Sequence, residues 1–538
     1  MDREEVGRFY RERGLWKAET LCGRLASVCD QAAGREALVD GSTRETFAGF
    51  ASLVERVAGH IAALGVSAGD VVSWQLPNWW EAAVVHHAAL RIGAVPNPLN
   101  MIFRGRELRF VLAEARPRLV VVPRRFRRFD HAALAQRLRQ EGLVGHIAVA
   151  RGQESGCFPL EEWLSEDPVS PAPAPLQRAS DVALLLYTSG TTSDPKGVLH
   201  SHETLLYEID SLRGVHRITP ADAYLGGSPV THIAGLVYGL LMPFALGTRT
   251  VLLERWDAGR ALELIERERA TFQTGAPTFL QTLAGHPDVS RRDLSSFRLF
   301  STGGANIPAE PIREAEAKLG CVVKRAYGST EVPTLTATSF DDPDDRRLGT
   351  DGRAIGAAEM RIVDARGHDT VEGEIWARSP EVFLGYRNPA LDPGAFDEEG
   401  WFRTGDLGAV DADGSLRVTG RLKDVIIRGG ENVSVKEIED LLAEHPAVAD
   451  VAVVGMPDAL LGERACAFVA PRRGATLSFA EMVAFLEGRE IARQKIPERL
   501  EVRARLPKTA SGKVQKNALR VELAGEIRGE DFRPPGRI

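Results

Sequence analysis

The sequence contains few cysteines and no pattern typical of an exported protein. Only five of its 538 residues are cysteines: Cys22, Cys29, Cys157, Cys321 and Cys466. None of them forms a CxxC pair or a Cys/His cluster, which excludes a disulfide-stabilised scaffold and a structural zinc site of the usual kind. The charged N-terminus, MDREEVGRFYRERG, is unlike a signal peptide. Sparse cysteine and the missing leader predict a cytoplasmic protein.

The sequence also lacks an excess of positive charge. The 67 basic and 74 acidic residues give a net charge of −7, so no nucleic-acid partner is expected. One stretch, Tyr224–Thr248, contains no Asp, Glu, Lys or Arg, but glycines, prolines and His232 interrupt it. This pattern predicts a buried core helix preceded by a loop, and no membrane span.

Helical and strand patterns alternate through the first part of the chain. Leu53, Val57, Ile61 and Leu64 lie on one helical face, followed by strand-like residues 71–76, a helix over 79–92 and a strand over 119–122. This alternation predicts an α/β fold with mostly parallel sheets. At 538 residues, the chain is too long for one ordinary domain.

The patterning changes beyond Gly420. Strands are predicted at 425–427, 448–454 and 465–470, and a helix at 479–487. Ser434 and Glu437 match a capping box that begins another helix. Together these elements predict a compact α+β domain of about 110 residues, which is an ordinary domain size.

A polar loop, YTSGTTSDPKG at Tyr187–Gly197, follows the apolar run Val182–Leu186. Its backbone amides and hydroxyls are suited to an anion, and Lys196 adds a mobile positive charge. The loop is not a Walker A motif, because Pro195 and Gly197 flank the lysine. Composition alone would equally fit a flexible surface loop, so the loop by itself indicates only a candidate phosphate site.

Further motifs follow this loop in a fixed order: SPVTHIAG (228–235), STGGAN (301–306), YGSTE (327–331), WFRTGDLG (401–408), GRLKDVIIRGGENVS (420–434) and PKTASGKVQK (507–516). With this set the chain resembles the adenylate-forming superfamily of acyl-CoA synthetases, aryl-acid ligases and luciferases over nearly its whole length. The spelling of the motifs is most similar to that of short- or medium-chain and alicyclic acyl-CoA ligases. The resemblance implies a large N-terminal region of several subdomains at 1–420, a hinge at 421–424 and a small mobile C-terminal lid domain at 425–538.

The resemblance also implies the cofactors ATP, Mg²⁺ and coenzyme A and a two-step reaction. A carboxylate first attacks the α-phosphate of ATP to give acyl-AMP, and a thiol then displaces AMP. Lys513 is implied as the catalytic lysine, Glu331 as the Mg²⁺ ligand, Thr330 as a donor to the α-phosphate, and Lys423 with Asp424 as the hinge. The residues implied to bind ATP or AMP are Thr188, Ser189, Gly190, Thr191, Thr192, Lys196, Gly303, Gly304, Ala305, Tyr327, Gly328, Ser329, Asp406 and Arg421.

The acyl site is expected around His232, which the resemblance places between the acyl pocket and the approach of the thiol. The implied pocket residues are Ile233, Ala234, Gly235, Tyr238, Gly303, Gly304, Ala326 and Pro333. Small side chains dominate this set, which indicates a roomy apolar pocket. Residues 226–235 contain no acidic side chain to pair with an ammonium group, so an amino acid substrate is not expected. Gly429 and Gly430 are implied to contact the pantetheine arm of CoA.

These observations predict an ATP-dependent acid–thiol ligase that converts a medium-chain, alicyclic or other bulky apolar acid into its CoA thioester. One alternative is an aryl-acid ligase that delivers to a carrier protein, although such ligases carry Asn where this chain has Ile233. A luciferase-like oxygenase or a silent nucleotide-binding relative are further alternatives. Ser193 replaces a common glycine and Asp194 adds a negative charge to the phosphate loop, so a relative specialised in one half-reaction is also considered.

Overall fold

The computed structural model describes residues 3–168, 170–172, 177–188, 195–304, 307–428, 431–458, 461–489, 491, 493–509 and 512–529. These residues form two compact units. The first takes the described residues of Met1–Gly190, Asp194–Met360 and Ala377–Arg403, and the second takes those of Arg361–Trp376 and Thr404–Ile538. The predicted boundaries at 420 and 425 stay a prediction.

The first unit contains two sheets that are mainly or wholly parallel. In the nine-stranded sheet the order is Arg353–Ala354, Thr336–Ala337, Val322–Tyr327, Leu299–Gly303, Phe272–Gly275, Ala223–Gly226, Arg249–Leu252, Glu36–Asp40 and Thr43–Thr46. Its six central strands are parallel, and antiparallel strands close both edges. The second sheet has the parallel order Val95–Pro98, Val71–Trp74, Leu119–Pro123, His146–Ala150 and Phe158–Pro159. The α/β prediction is confirmed.

The polar loop connects two neighbouring strands of a small antiparallel sheet. It consists of Gly385–Tyr386, Gly197–Ser201 and Val182–Tyr187. The helices of this unit are Arg3–Glu12, Leu21–Ala32, Phe47–Ala63, Trp80–Arg91, Gly105–Ala115, His131–Gln140, Leu160–Ser165, His202–Val215, Ile233–Leu236, Met242–Leu246, Ala258–Glu268, Pro277–Ala284, Ala309–Leu319 and Asp344–Gly349. Short 3₁₀ turns cover Val289–Arg291 and Pro389–Gly394.

The predicted helix in the uncharged stretch is present but irregular. Ile233–Leu236 and Met242–Leu246 are α-helical, and a π-helical turn, Val237–Leu241, lies between them. Residues 235–245 are buried, and aromatic rings pack on them, with Phe244 stacked on Phe50 at a centroid distance of 3.9 Å. No helix among the described residues is both long and apolar enough to cross a membrane.

The second unit contains a four-stranded and a five-stranded sheet. The four-stranded sheet has the order Glu359–Val363, Glu372–Arg378, Phe402–Val410 and Leu416–Arg421, and the strand ends at 359–360, 377–378 and 402–403 are assigned to the first unit. In the five-stranded sheet the order is Glu431–Val433, Ile426–Arg428, Gly462–Pro471 and Val448–Asp458, and Arg499–Val502 pairs parallel with Gly462–Pro471. Its helices are Val435–Ala443, Phe479–Glu487 and Lys516–Gly529, with 3₁₀ turns at Leu422–Asp424 and Arg493–Lys495.

The predicted capping box at Ser434 forms only in part. The Ser434 hydroxyl accepts from the Glu437 amide at 3.3 Å, as expected of an N-cap. Glu437 does not complete the reciprocal bond, because its carboxylate pairs with Lys495 at 2.6 Å. The full capping box is therefore wrong, since a tertiary ion pair takes the side chain that would have closed it.

Candidate active site

The polar loop leaves and re-enters the core between two antiparallel strands. Tyr187 pairs with Gly197, and the next residues continue the ladder: the Thr188 amide donates to the Lys196 carbonyl at 3.0 Å. In return the Lys196 amide donates to the Thr188 hydroxyl at 3.3 Å. These bonds hold the two ends of the loop together. The predicted phosphate-binding residues between them, Ser189, Gly190, Thr191 and Thr192, lie outside the described residues.

Lys196 and Glu331 both contact a tyrosine, Tyr386, that sequence reasoning missed. The Lys196 Nζ lies 4.6 Å from the centroid of the Tyr386 ring. The Tyr386 hydroxyl donates to Glu331 Oε1 at 3.0 Å. Burial, together with the Glu331 carboxylate, raises the pKa of Tyr386, so the phenol keeps its proton and remains a donor. The sequence offers only an aromatic residue in a short strand as a sign of this role. Tyr386 pairs with Val198, which is far away in the chain, so no local pattern shows the contact.

The loop that carries Glu331 is fixed through its backbone. The Ser329 hydroxyl accepts from the Glu331 amide at 3.2 Å, and the Phe383 amide donates to the Glu331 carbonyl at 2.8 Å. One carboxylate oxygen, Oε1, is bonded to Tyr386, and among the described residues Oε2 has no hydrogen-bond donor. A rigidly held carboxylate with one available oxygen fits a hard cation such as Mg²⁺, whose remaining ligands are water and phosphate oxygens.

Thr330 is held by a buried histidine, His200, that sequence reasoning also missed. His200 Nε2 donates to the Thr330 carbonyl at 2.8 Å, while Nδ1 lies 3.2 Å from the Thr204 hydroxyl. Burial lowers the pKa of His200 to about 4, and the bond to Thr330 offsets this only in part. The ring is therefore neutral. It links the strand after the polar loop to the segment that contains both Thr330 and Glu331.

The residues predicted to surround adenine lie at the ends of neighbouring parallel strands. Gly303 and Ala326 are directly paired at the carboxyl ends of their strands, and Tyr327 is the last residue of the same strand as Ala326. This edge of a parallel sheet is where ligands commonly bind in α/β folds. Tyr327 is half-buried, as are Gly328, Ser329 and Pro333 in the turn after it, and Gly304 follows Gly303. Ala305 lies outside the described residues.

His232 contacts Asn100, another residue that sequence reasoning missed. The Asn100 amide nitrogen lies 3.0 Å from His232 Nε2. The Asn100 carbonyl oxygen accepts from the Ile102 amide at 3.1 Å, which leaves the NH₂ group facing the ring. Nε2 is therefore the acceptor. Asn100 sets the orientation of His232 across 132 positions of sequence.

The predicted pocket residues occupy different environments. Ile233 is half-buried and Ala234 is exposed, whereas Tyr238 is buried in the π-helical turn and bonds through its hydroxyl to His216 at 2.7 Å. A Cβ atom on Gly235 would lie 2.1 Å from the Pro229 carbonyl oxygen. The absence of a side chain there is explained by backbone packing, and it is not evidence of pocket volume.

In the second unit, the structure joins the two residues predicted to bind the ribose. Arg421 Nε lies 2.7 Å from Asp406 Oδ1, and the two residues are paired on adjacent strands. The Asp406 side chain is 7% exposed and that of Arg421 is 52% exposed, so the pair presents its guanidinium to solvent.

The predicted catalytic lysine lies in a tight turn of the second unit. The Thr509 amide donates to the Lys513 carbonyl at 2.8 Å, and the Lys513 amide donates to the Thr509 hydroxyl at 3.1 Å. Gly512 adopts a φ of 85°, a left-handed conformation that favours glycine. The turn exposes Lys513.

Asp424, one of the two predicted hinge residues, is tied to the C-terminal helix. Arg520 lies 2.7 Å from its carboxylate and Lys516 lies 3.7 Å away. Burial would raise the pKa of Asp424, but Lys516 and Arg520 outweigh it and lower the pKa, so the carboxylate is charged. For Lys423 only the backbone is described, within the 3₁₀ turn. Gly429 and Gly430, predicted to contact CoA, lie outside the described residues.

Comparison with known proteins identifies the family. The protein family described as "AMP-binding enzyme" matches residues 25–387, and the family described as "AMP-binding enzyme C-terminal domain" matches residues 437–513. The chain is 35% identical to the medium-chain fatty-acid–CoA ligase of Escherichia coli over 96% of this chain and 92% of that protein. It is 32% identical to the 2,3-dihydroxybenzoate-AMP ligase of Bacillus subtilis over 97% of each.

A solved structure shares the fold over nearly the whole chain. The ATP-bound MatB of Rhodopseudomonas palustris superposes with a TM-score of 0.84 and 32% identity, covering 94% of this chain and 99% of that one. The ligand roles given to the residues above stay predictions, while the resemblance to the superfamily is confirmed. The chain belongs to the AMP-binding enzyme family, the adenylate-forming acid ligases.

Proposed function

We propose that this ligase activates a bulky apolar carboxylic acid, such as a medium-chain aliphatic or alicyclic acid, through acyl-AMP to its CoA thioester. ATP, Mg²⁺ and coenzyme A are the cosubstrates and cofactor of adenylate-forming CoA ligases. The observation that carries the acid class is the uncharged segment Tyr224–Thr248. It buries Tyr238 and contributes Ile233 to an apolar cluster that also includes Ala326.

The charge distribution of this segment supports an apolar acyl group. An acid with an ammonium group would need a carboxylate beside it, because an unpaired buried charge is costly. The segment offers none. The chain's similarity to a medium-chain fatty-acid–CoA ligase supports the same class, while its similarity to an aryl-acid AMP ligase keeps aromatic acids in the comparison.

In the proposed first step, two anions approach each other, so the protein's contribution is positioning and charge neutralisation. Lys196, at the end of the polar loop, would hold the β- and γ-phosphates. Glu331 would hold Mg²⁺ beside them, with its carboxylate oriented by Tyr386. Thr330, fixed by His200, would donate to the α-phosphate, and Lys513 would neutralise the attacking carboxylate and that phosphate.

The remaining residues are assigned to nucleotide and thiol binding. Tyr327 would stack on adenine next to Gly303 and Gly304, and Asp406 would accept from the ribose hydroxyls. In the second step, His232, oriented by Asn100, would line the approach of the thiol. The uncharged residues around His232 would suit the neutral pantetheine arm of CoA.

The decisive experiment is ATP–pyrophosphate exchange with a panel of acids, followed by thioester formation with CoA. The panel contains acetate, octanoate, cyclohexanecarboxylate, benzoate and 2,3-dihydroxybenzoate. We expect the highest kcat/KM with octanoate or cyclohexanecarboxylate, and CoA-dependent release of AMP. A preference for the aromatic acids without CoA turnover would favour delivery to a carrier protein. Thioester formation from supplied acyl-AMP, without exchange, would identify a relative specialised in the second half-reaction.

A further inference from the structure

A short loop in the first unit, residues 75–78 (QLPN), carries two buried amide side chains. The loop lies between the strand Val71–Trp74 and the helix Trp80–Arg91. Gln75 is 2% exposed and Asn78 is 4% exposed. A buried amide costs free energy unless its donors and its acceptor oxygen are bonded, so its partners indicate which segments it fixes.

The Gln75 side chain holds the segment that contains Asn100. Its amide nitrogen donates to the carbonyl of Asn100 at 2.8 Å and to that of Phe103 at 3.2 Å. Its carbonyl oxygen accepts from His131 Nδ1 at 3.0 Å. Both donors and the acceptor oxygen of the amide are therefore used, and the backbone of residues 100–103 is fixed from within the core.

His131 fixes the direction in which the Gln75 amide points. Burial, together with the positive charge of Arg104, lowers the pKa of His131 to about 4, so the ring is neutral and has one N–H group. This N–H group is at Nδ1, because the Gln75 atom next to it is the amide oxygen. A reversed amide would place its oxygen against two carbonyl oxygens, so only one orientation is stable.

Asn78 holds the backbone that leads to His232. Its amide nitrogen donates to the Ser228 carbonyl at 2.9 Å, and its oxygen accepts from the Val230 amide at 3.0 Å. The same turn continues to His232, whose amide donates to the Pro229 carbonyl at 3.0 Å. Asn78 therefore fixes the turn from which the His232 side chain extends.

The two amides act on His232 by separate routes. Gln75 fixes the backbone of Asn100, and the Asn100 amide nitrogen lies 3.0 Å from His232 Nε2. Asn78 fixes the backbone of His232 itself. A ring nitrogen that accepts a hydrogen bond carries no proton, so this contact favours the His232 tautomer with its proton on Nδ1.

We propose that Gln75 and Asn78 are positioning residues for His232. Asn78 sets the place of the His232 backbone, while Gln75, acting through Asn100, sets the orientation and the tautomer of the ring. Because Asn100 occupies Nε2, that nitrogen does not take the proton of the incoming thiol, and His232 contributes by shaping the approach. The link to the thiol rests on the proposed function, whereas the arrangement of the ring does not.

The tautomer of His232 can be measured without any substrate. Nitrogen-15 NMR of protein labelled at histidine distinguishes protonated from unprotonated ring nitrogens, and His232→Asn identifies the His232 signals by their loss. The wild type at neutral pH should have its His232 proton on Nδ1 and an unprotonated, hydrogen-bonded Nε2. In Gln75→Leu and in Asn78→Ala the Nε2 signal should shift, because each variant lets Asn100 and the ring move apart.

Ser73→Ala is the matched control. Ser73 lies on the strand that precedes the loop, and its buried hydroxyl donates to Asn97 Oδ1 at 2.8 Å. The variant removes a buried hydrogen bond between neighbouring strands, and this bond involves neither Gln75 nor Asn78. Its His232 signals and its ratio of half-reaction rates should match those of the wild type.

The kinetic test compares the two half-reactions. Gln75→Leu and Asn78→Ala should each lower kcat/KM for CoA in thioester formation from supplied acyl-AMP roughly tenfold, as expected for the loss of one well-placed hydrogen bond. ATP–pyrophosphate exchange with the same acid should change less than roughly twofold, because the nucleotide site does not depend on His232.

The outcomes separate this proposal from the proposed function. A wild-type His232 with its proton on Nε2 overturns the proposal, even if no variant folds. Unchanged His232 signals in folded Gln75→Leu and Asn78→Ala also overturn it. Shifted signals with equal losses in both half-reactions would support the positioning and contradict the role of His232 in thiol approach. Absence of exchange with every acid in the wild type would count against the proposed function alone.

Discussion

Tyr386 donates its hydroxyl to Glu331 Oε1 at 3.0 Å, although the two residues are 55 positions apart. Glu331 ends a motif that sequence patterns reveal, while Tyr386 belongs to a two-residue strand with no such motif. The phenol holds one carboxylate oxygen and leaves the other directed away from it. We infer that Tyr386 orients the carboxylate proposed to bind Mg²⁺.

Tyr386→Phe tests this orientation. Removing the hydroxyl leaves one part-buried carboxylate oxygen without its donor, which costs about 1–3 kcal/mol. We expect the adenylation rate to fall roughly tenfold and the Mg²⁺ concentration for half-maximal rate to rise. The measurement is ATP–pyrophosphate exchange over a Mg²⁺ titration. Tyr207→Phe serves as the control, and an unchanged Mg²⁺ dependence in Tyr386→Phe would contradict the role.

Lys513→Ala should separate the two half-reactions. The positive charge is proposed to neutralise two anions in the first step, and the second step does not require it. Acyl-AMP formation should slow by two or more orders of magnitude, equivalent to about 3 kcal/mol of transition-state stabilisation. Thioester formation from supplied acyl-AMP should stay close to the wild-type rate.

Single-turnover assays of each step provide the measurement for Lys513. Lys508→Ala is the matched control, because Lys508 lies in the same motif but pairs with Asp450 at 2.7 Å. Its adenylation rate should be nearly unchanged. Equal losses in both half-reactions of Lys513→Ala would show that the lysine supports the fold of its turn and not the first step.

Lys423→Pro tests the predicted hinge. Lys423 is the second residue of a 3₁₀ turn, and a proline there restricts the backbone of Leu422 as well as its own, so circular dichroism first checks that the variant folds. A fixed torsion would favour one domain orientation and impair one half-reaction more than the other. Lys423→Ala removes the charge without restricting the backbone and should leave the ratio of the two rates unchanged. A parallel loss of both rates in the proline variant would argue against an alternating domain.

Ala234→Trp tests the acyl pocket. Ala234 is exposed on its helix, so the indole ring can be accommodated without displacing the core. If Ala234 lines the pocket, the ring reduces its volume, and activity with octanoate should fall at least roughly tenfold more than activity with propionate. Ala234→Ser changes the volume little and should leave the preference intact. The same loss for both acids would remove Ala234 from the pocket.

Gly235→Ala should destabilise the fold and leave acid preference unchanged. The added Cβ would lie 2.1 Å from the Pro229 carbonyl oxygen, a backbone atom that is not free to move aside. We expect a loss of about 2 kcal/mol or more in the free energy of unfolding, measured by urea denaturation. A variant as stable as the wild type but with altered acid preference would return Gly235 to the pocket wall.

Local patterns in the sequence determined the element types and the family. Helical periodicity located Phe47–Ala63 and Phe479–Glu487, and apolar runs located Leu119–Pro123 and Val182–Tyr187. The ordered motifs indicated Lys196, Glu331, Asp406, Arg421 and Lys513 as site residues. These features depend on residues near each other in the chain or on motifs that are recognised by their order, and so they can be predicted from the sequence alone.

Tertiary structure alone decided the partners of those residues. Tyr386 beside Glu331, Asn100 beside His232, and Arg520 beside Asp424 are separated by 55, 132 and 96 positions, and no local pattern encodes such pairs. The burial of these side chains was also decided by packing, because burial and charge compensation are properties of the folded environment and not of the residue type.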